Sequence, residues 1–154
     1  MAVIKSSELR IGNYVLMRFP YASKDYIVSI LTISNEGLSY PQDKCDLIVN
    51  IDTPNFALYG PQKINLQHLS PIPISEELLQ KIGFTEDLVF PKAPYYSLLK
   101  KPNNKFFLVI NRQFVTDIQL KSVHQLQNLY YALHEKELKL NLLLLKQQLA
   151  IKQL

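Results

Sequence analysis

The sequence predicts an α+β fold: a small SH3-like β-barrel or bent antiparallel sheet, then a short helix, a three-stranded antiparallel sheet and a C-terminal helix. Three observations predict it. All nine prolines lie between Pro20 and Pro102 and all four glycines precede Phe84, so turns are dense early and scarce late. Residues 8–70 hold four short β-branched or aromatic runs separated by turn-forming residues. From Val123 onward the chain has neither glycine nor proline, and its apolar residues recur at helical spacing. The divisions are a β-rich barrel-like subdomain over 1–70, an α/β subdomain over 71–138 and a leucine-rich extension, read as helical, over 139–154.

The runs "LRIGNYVLMRF", "DYIVSILTIS", "CDLIVNID" and "KINLQHLSPI" are separated by "SNEG", "YPQD", "DTPN" and "YGPQ". In the second run Val28, Ile30 and Thr32 alternate with their neighbours, which turns one face to a core and the other to solvent. Short antiparallel strands at this spacing suit a strongly bent sheet or small barrel. "SPIPIS" (Ser70 to Ser75) then acts as a stiff connector, because each proline fixes its own φ and biases the residue before it toward extended geometry.

A short helix follows. Ser75 is an N-cap, Glu76 and Glu77 place negative charge at the positive end of the dipole, Ile74 and Leu79 occupy staple positions, and Gly83 ends the helix. Beyond it "YYSLLKK", "KFFLVINR" and "FVTDIQLK" read as three strands, with a tight reversal at Arg112 and Gln113. Val123, Leu126, Leu129, Tyr130 and Leu133 then form the apolar stripe of a helix, expected to dock on the sheet made by residues 95–120. Its other face carries His124, Gln127, Asn128 and Tyr131 at i, i+3, i+4 and i+7, a candidate interface.

Leu138, Leu142, Leu145 and Leu149 repeat close to heptad a and d positions, which marks them as candidate pairing residues with a second copy or a protein partner. Residues 123–153 as one helix would form a rod of roughly 46 Å. The alternative is a strand, "ELKLNL", followed by a separate short helix.

"ELRIGNYV" (Glu8 to Val15), "PIPISEELLQKIGF" (Pro71 to Phe84) and "VHQLQNLYYAL" (Val123 to Leu133) together resemble a family of small proteins of bacterial genomes, phages and mobile elements. The resemblance covers roughly residues 7–138 and implies phage or mobile-element origin, but it brings no activity, ligand or catalytic residue to these positions. The leucine-rich tail after Glu137 departs from the family pattern.

At 154 residues and 47% hydrophobic the chain is long enough for one compact domain or two small subdomains. The lone Cys45 gives no disulfide framework, the first thirty residues lack a signal-peptide pattern, and the longest apolar run, Leu142 to Leu145, is too short for a membrane span. A cytoplasmic protein is expected, with no membrane partner. His68, His124 and His134 share no ligand spacing, Cys45 lies between Asp43 and Asp46, and no phosphate-binding or nucleophile motif is present. No metal and no cofactor is expected; enzymatic chemistry would need groups such as Tyr14, His68 and Asp117 to converge.

One segment has a composition suited to nucleic acid. "PKAPYYSLLKKPNNKFFLVINR" (Pro91 to Arg112) carries Lys92, Lys100, Lys101, Lys105 and Arg112 with no Asp or Glu, interleaved with Tyr95, Tyr96, Phe106 and Phe107. Cations hold phosphates and aromatic rings stack on bases. The plainer reading sends one aromatic of each pair into the core and leaves the lysines to solubilise strand ends. A net charge of +4 is compatible with either. The first expectation is therefore a non-enzymatic accessory protein that associates through its C-terminal helix, and the second a nucleic-acid-binding protein acting through residues 91–112.

Overall fold

A computed structural model of the chain describes residues 4–18, 25–34, 46–51, 62–102 and 104–151; Cys45 lies outside them. The elements in chain order are β1 (Tyr14–Met17), β2 (Tyr26–Ser34), β3 (Asp46–Ile51), β4 (Gln62–Asn65), β5 (Leu69–Ser70), α1 (Glu76–Lys81), β6 (Val89–Phe90), β7 (Ala93–Lys101), β8 (Lys105–Ile110), β9 (Phe114–Leu120), α2 (Val123–His134) and α3 (Leu142–Ile151). Short 3-10 turns occupy Ser6–Glu8 and Leu66–His68. The class is α+β, with two antiparallel sheets. Among the described residues no helix is long and apolar enough to cross a membrane.

The chain divides into two compact units, Met1–Ile72 with Val123–Glu135, and Pro73–Ser122 with Lys136–Leu154. The first holds a sheet of order β4-β3-β2-β1-β5. "KINLQHLSPI" is not one strand: the Asn65 side chain accepts a hydrogen bond from Gln67 N at 3.0 Å, which closes a 3-10 turn and sends Leu69–Ser70 back to pair with Met17 and Leu16. No pairing joins β4 to β5 among the described residues, so the sheet is not a closed barrel. Its core gathers Ile4, Val15, Met17, Val28, Ile30, Leu66 and Leu69.

The second unit carries a sheet of order β6-β7-β8-β9. The three expected strands are present, and the two-residue β6 adds a fourth that is too short to show any periodicity. Leu98, Phe106, Leu108 and Leu120 form its buried face. The β8–β9 reversal is a three-residue connection, 111–113, in which Asn111 and Arg112 have φ of 52° and 58° and are the central residues of a turn closed by Gln113 N donating to Ile110 O at 3.1 Å. Positive φ at both central residues matches the right-handed twist of a hairpin. Helix α1 starts as expected, with Leu78 N donating to Ser75 Oγ at 3.2 Å, and Gly83 follows it at φ 102°.

Three expectations are corrected. Helix α2 does not group with the 71–138 segment or with the sheet of residues 95–120; it groups with the N-terminal unit, where its polar side chains bond the backbone from Glu8 to the first residue of β1, Tyr14. The single rod over 123–153 is absent: α2 ends at His134, Glu135 adopts φ 52°, and α3 begins at Leu142. Nor is "ELKLNL" a strand; instead Asn141 caps α3, its Oδ1 accepting from Leu143 N at 2.9 Å.

The break follows from packing. Leu138 lies between the helices and Leu145 within α3, and both are buried, in a unit where α3 packs with α1. Burying a leucine stabilises by about 1.5–3 kcal/mol. A left-handed non-glycine residue costs only about 1–2 kcal/mol. Two buried leucines therefore outweigh one strained Glu135.

Candidate functional site

The polar stripe of α2 is one candidate surface. Gln127 is 1% exposed; its Oε1 accepts from Tyr14 N at 2.9 Å and its Nε2 donates to Gly12 O at 3.1 Å. Asn128 donates from Nδ2 to Glu8 O at 2.7 Å and accepts from Asn13 Nδ2 at 2.9 Å and from Arg10 Nε at 3.4 Å. Asn13 is buried and in turn accepts from Arg10 N at 2.7 Å. The Arg10 guanidinium lies 4.0 Å from the centre of the Tyr131 ring, a cation–π contact.

These bonds explain the stripe. The chain from Glu8 to Tyr14 turns through Gly12, at φ 88°, and enters β1; Gly12 N and Asn13 O bond Ile30 of β2, while the Glu8 and Gly12 carbonyls and the Tyr14 amide are reached by side chains of α2. Buried backbone groups need partners, and the amides of α2 supply them. The segments "ELRIGNYV" and "VHQLQNLYYAL" are thus the two halves of one internal clamp. Polar periodicity revealed the stripe, but no local signal named the segment that it meets.

His124 is 1% exposed, with Nε2 3.7 Å from Glu8 Oε2. Burial pushes its pKa below the ordinary value and outweighs the opposing charge and hydrogen bond of Glu8. The ring is therefore neutral at neutral pH, and its approach to Glu8 is not an ion pair there. The unfolded chain takes up the proton first as pH falls below about 6.5, so this contribution to stability is present above that pH and lost below it. The expected result is a falling urea midpoint between about pH 7.5 and 5.5, with a smaller fall in His124→Gln.

The second candidate is the β7–β9 sheet. Strand alternation sends Tyr96 toward Phe90, with ring centroids 6.3 Å apart, and buries Phe106. Tyr95 is 69% exposed, and Leu99 pairs with half-buried Phe107 on the same open face as Ser97 and Lys101. Val115 of β9, opposite Val109, is exposed too. Along this face the row Val89–Ser97–Val109 holds two buried valines and a half-buried serine, with exposed Tyr95 on one side of it and exposed Leu99 beside half-buried Phe107 on the other.

The cations are split. Lys100 pairs with Glu76 and is engaged outside the open face. Lys101 faces Lys105 across the β7–β8 end, and the Lys101 ammonium stands 4.8 Å from the centre of the Phe107 ring. Lys92 and Arg112 lie in the turns at the opposite end, with φ of 60° and 58°. The span of β7 puts about 26 Å between the two ends. Among the described residues no carboxylate pairs with Lys92, Lys101, Lys105 or Arg112, and Asp117 on edge strand β9 is the one acid of β7–β9.

No protein-family model matches the chain, and no curated protein matches it. The site therefore stands on its own chemistry.

The candidate pairing leucines are dispersed. Leu138 and Leu145 are buried, Leu149 is half-buried, and Leu142 opens α3. Tyr14 and His68 fall in the first unit and Asp117 in the second. Among the described residues no three His, Cys, Asp or Glu side chains are placed to hold a metal ion.

Proposed function

We propose that the protein is a non-enzymatic accessory protein that binds nucleic acid through the open face of the β6–β9 sheet. The observation that carries this reading is the set of four cations without described carboxylate partners, at the two ends of β7, beside a sheet face that carries exposed Tyr95 and Leu99 and half-buried Phe107. Self-association through the tail has less support than the leucine repeat suggested, because two of its four leucines are already buried in the single chain. The N-terminal unit is read as an open SH3-like sheet: β5 returns to β1 after a 3-10 turn, which supports a bent five-stranded arrangement.

Fluorescence anisotropy with labelled single-stranded and duplex DNA tests the function. Binding is expected at about 25 mM salt, and four phosphate contacts predict a loss of roughly 100-fold on moving to about 150 mM. Absence of binding to either probe at low salt overturns the reading.

A further inference from the structure

We infer, building on the nucleic-acid reading above, that the ligand is a single strand lying lengthwise along β7, with its bases on the Tyr95–Phe107 face and its backbone held at both ends. Lys101 faces Lys105 at one end of β7, Lys92 and Arg112 lie in turns at the other, and the one cation of β7 between them, Lys100, is engaged by Glu76. A duplex presents closely spaced phosphates and hides its base faces. Laid on this sheet it would set phosphates against Tyr95 and Leu99, which are 69% and 39% exposed. A single strand turns base faces outward, and those stack on aromatic side chains whatever the sequence.

The direction follows from the same residues. Asp117 is on β9, separated from β7 by β8, so it repels a backbone drawn across the sheet more than one running along β7. The length of β7 holds on the order of four nucleotides, the lower end of single-strand site sizes. Lys101, which rests over the Phe107 ring, moves to a phosphate and frees the ring face for a base.

The test uses the full chain with labelled oligothymidine of about twelve nucleotides and a hairpin duplex of similar length, at about 25 mM salt. The single strand is expected to bind at least roughly tenfold more tightly, and Tyr95→Ala to weaken it by about tenfold, with Tyr95→Phe restoring it. Circular dichroism melts confirm that the variants fold. A duplex bound as tightly as the single strand, or a single-strand affinity unchanged in Tyr95→Ala, overturns the inference and leaves nucleic-acid binding standing. An oligothymidine of about two nucleotides that binds as tightly as one of about six also overturns it, since two nucleotides cannot reach both cation pairs. If neither probe binds at low salt, both readings fall together.

Discussion

Gln127→Ala is expected to destabilise the protein by about 2–5 kcal/mol, read as a lower urea midpoint with an unchanged denaturant slope. The side chain is 1% exposed and serves two main-chain groups at once, accepting from Tyr14 N and donating to Gly12 O. Truncation deprives both groups of this partner in a place that water does not reach. An unsatisfied buried group costs about 1–3 kcal/mol, so two of them account for most of the expected loss and the cavity adds to it. Gln127→Glu would keep an acceptor for Tyr14 N but set a carboxylate against the Gly12 carbonyl, and should be no milder. Tyr131→Phe is the control, since it keeps the ring beneath Arg10 and should change stability by no more than about 0.5 kcal/mol. A Gln127→Ala protein as stable as its parent would mean that the stripe faces solvent.

The elements read correctly from the sequence are those whose causes are local. The α1 helix follows from Ser75, two acidic residues and Gly83, all within nine positions of one another. Strands β7, β8 and β9 are legible in their β-branched and aromatic residues and in the turn residues between them, whereas only the structure turns Tyr96 toward Phe90 and leaves Tyr95 exposed. What escaped depends on distant or unusual partners. The stripe on α2 was visible, yet its counterpart lies more than 110 residues away in the chain, at Gly12 and Tyr14. The end of α2 carries no glycine or proline, because Glu135 takes the left-handed conformation itself. Asn141 was the available clue: as an N-cap residue before a leucine-rich segment it signals a helix start, where the leucine periodicity alone suggested continuation.

The basic segment shows how the same pattern serves two readings until geometry separates its members. As a run of sequence, Lys92, Lys100, Lys101, Lys105 and Arg112 formed one patch. On the sheet, Lys100 is drawn off by Glu76, and the other four divide between the two ends of β7. A hairpin that merely keeps its tips soluble needs the lysines, but not a 69% exposed tyrosine or an exposed valine on the same sheet. That combination favours a ligand with both charge and apolar rings.

Leu145→Ala decides what the leucine-rich tail is for, and it should cost about 2–5 kcal/mol. Leu145 is fully buried in the unit where α3 packs with α1, so truncation removes contacts and leaves a cavity within one chain. Leu143, two positions away in the same helix and 60% exposed, supplies the comparison: Leu143→Ala should shift stability by no more than about 0.5 kcal/mol. Light scattering completes the test, because a leucine that packs within its own chain changes stability and leaves particle mass alone. A pairing leucine does the reverse at concentrations where the assembly is half dissociated. A Leu145→Ala protein of undiminished stability but lower mass would restore the heptad reading of Leu138, Leu142, Leu145 and Leu149. The expected outcome, lower stability at constant mass, makes α3 part of a core.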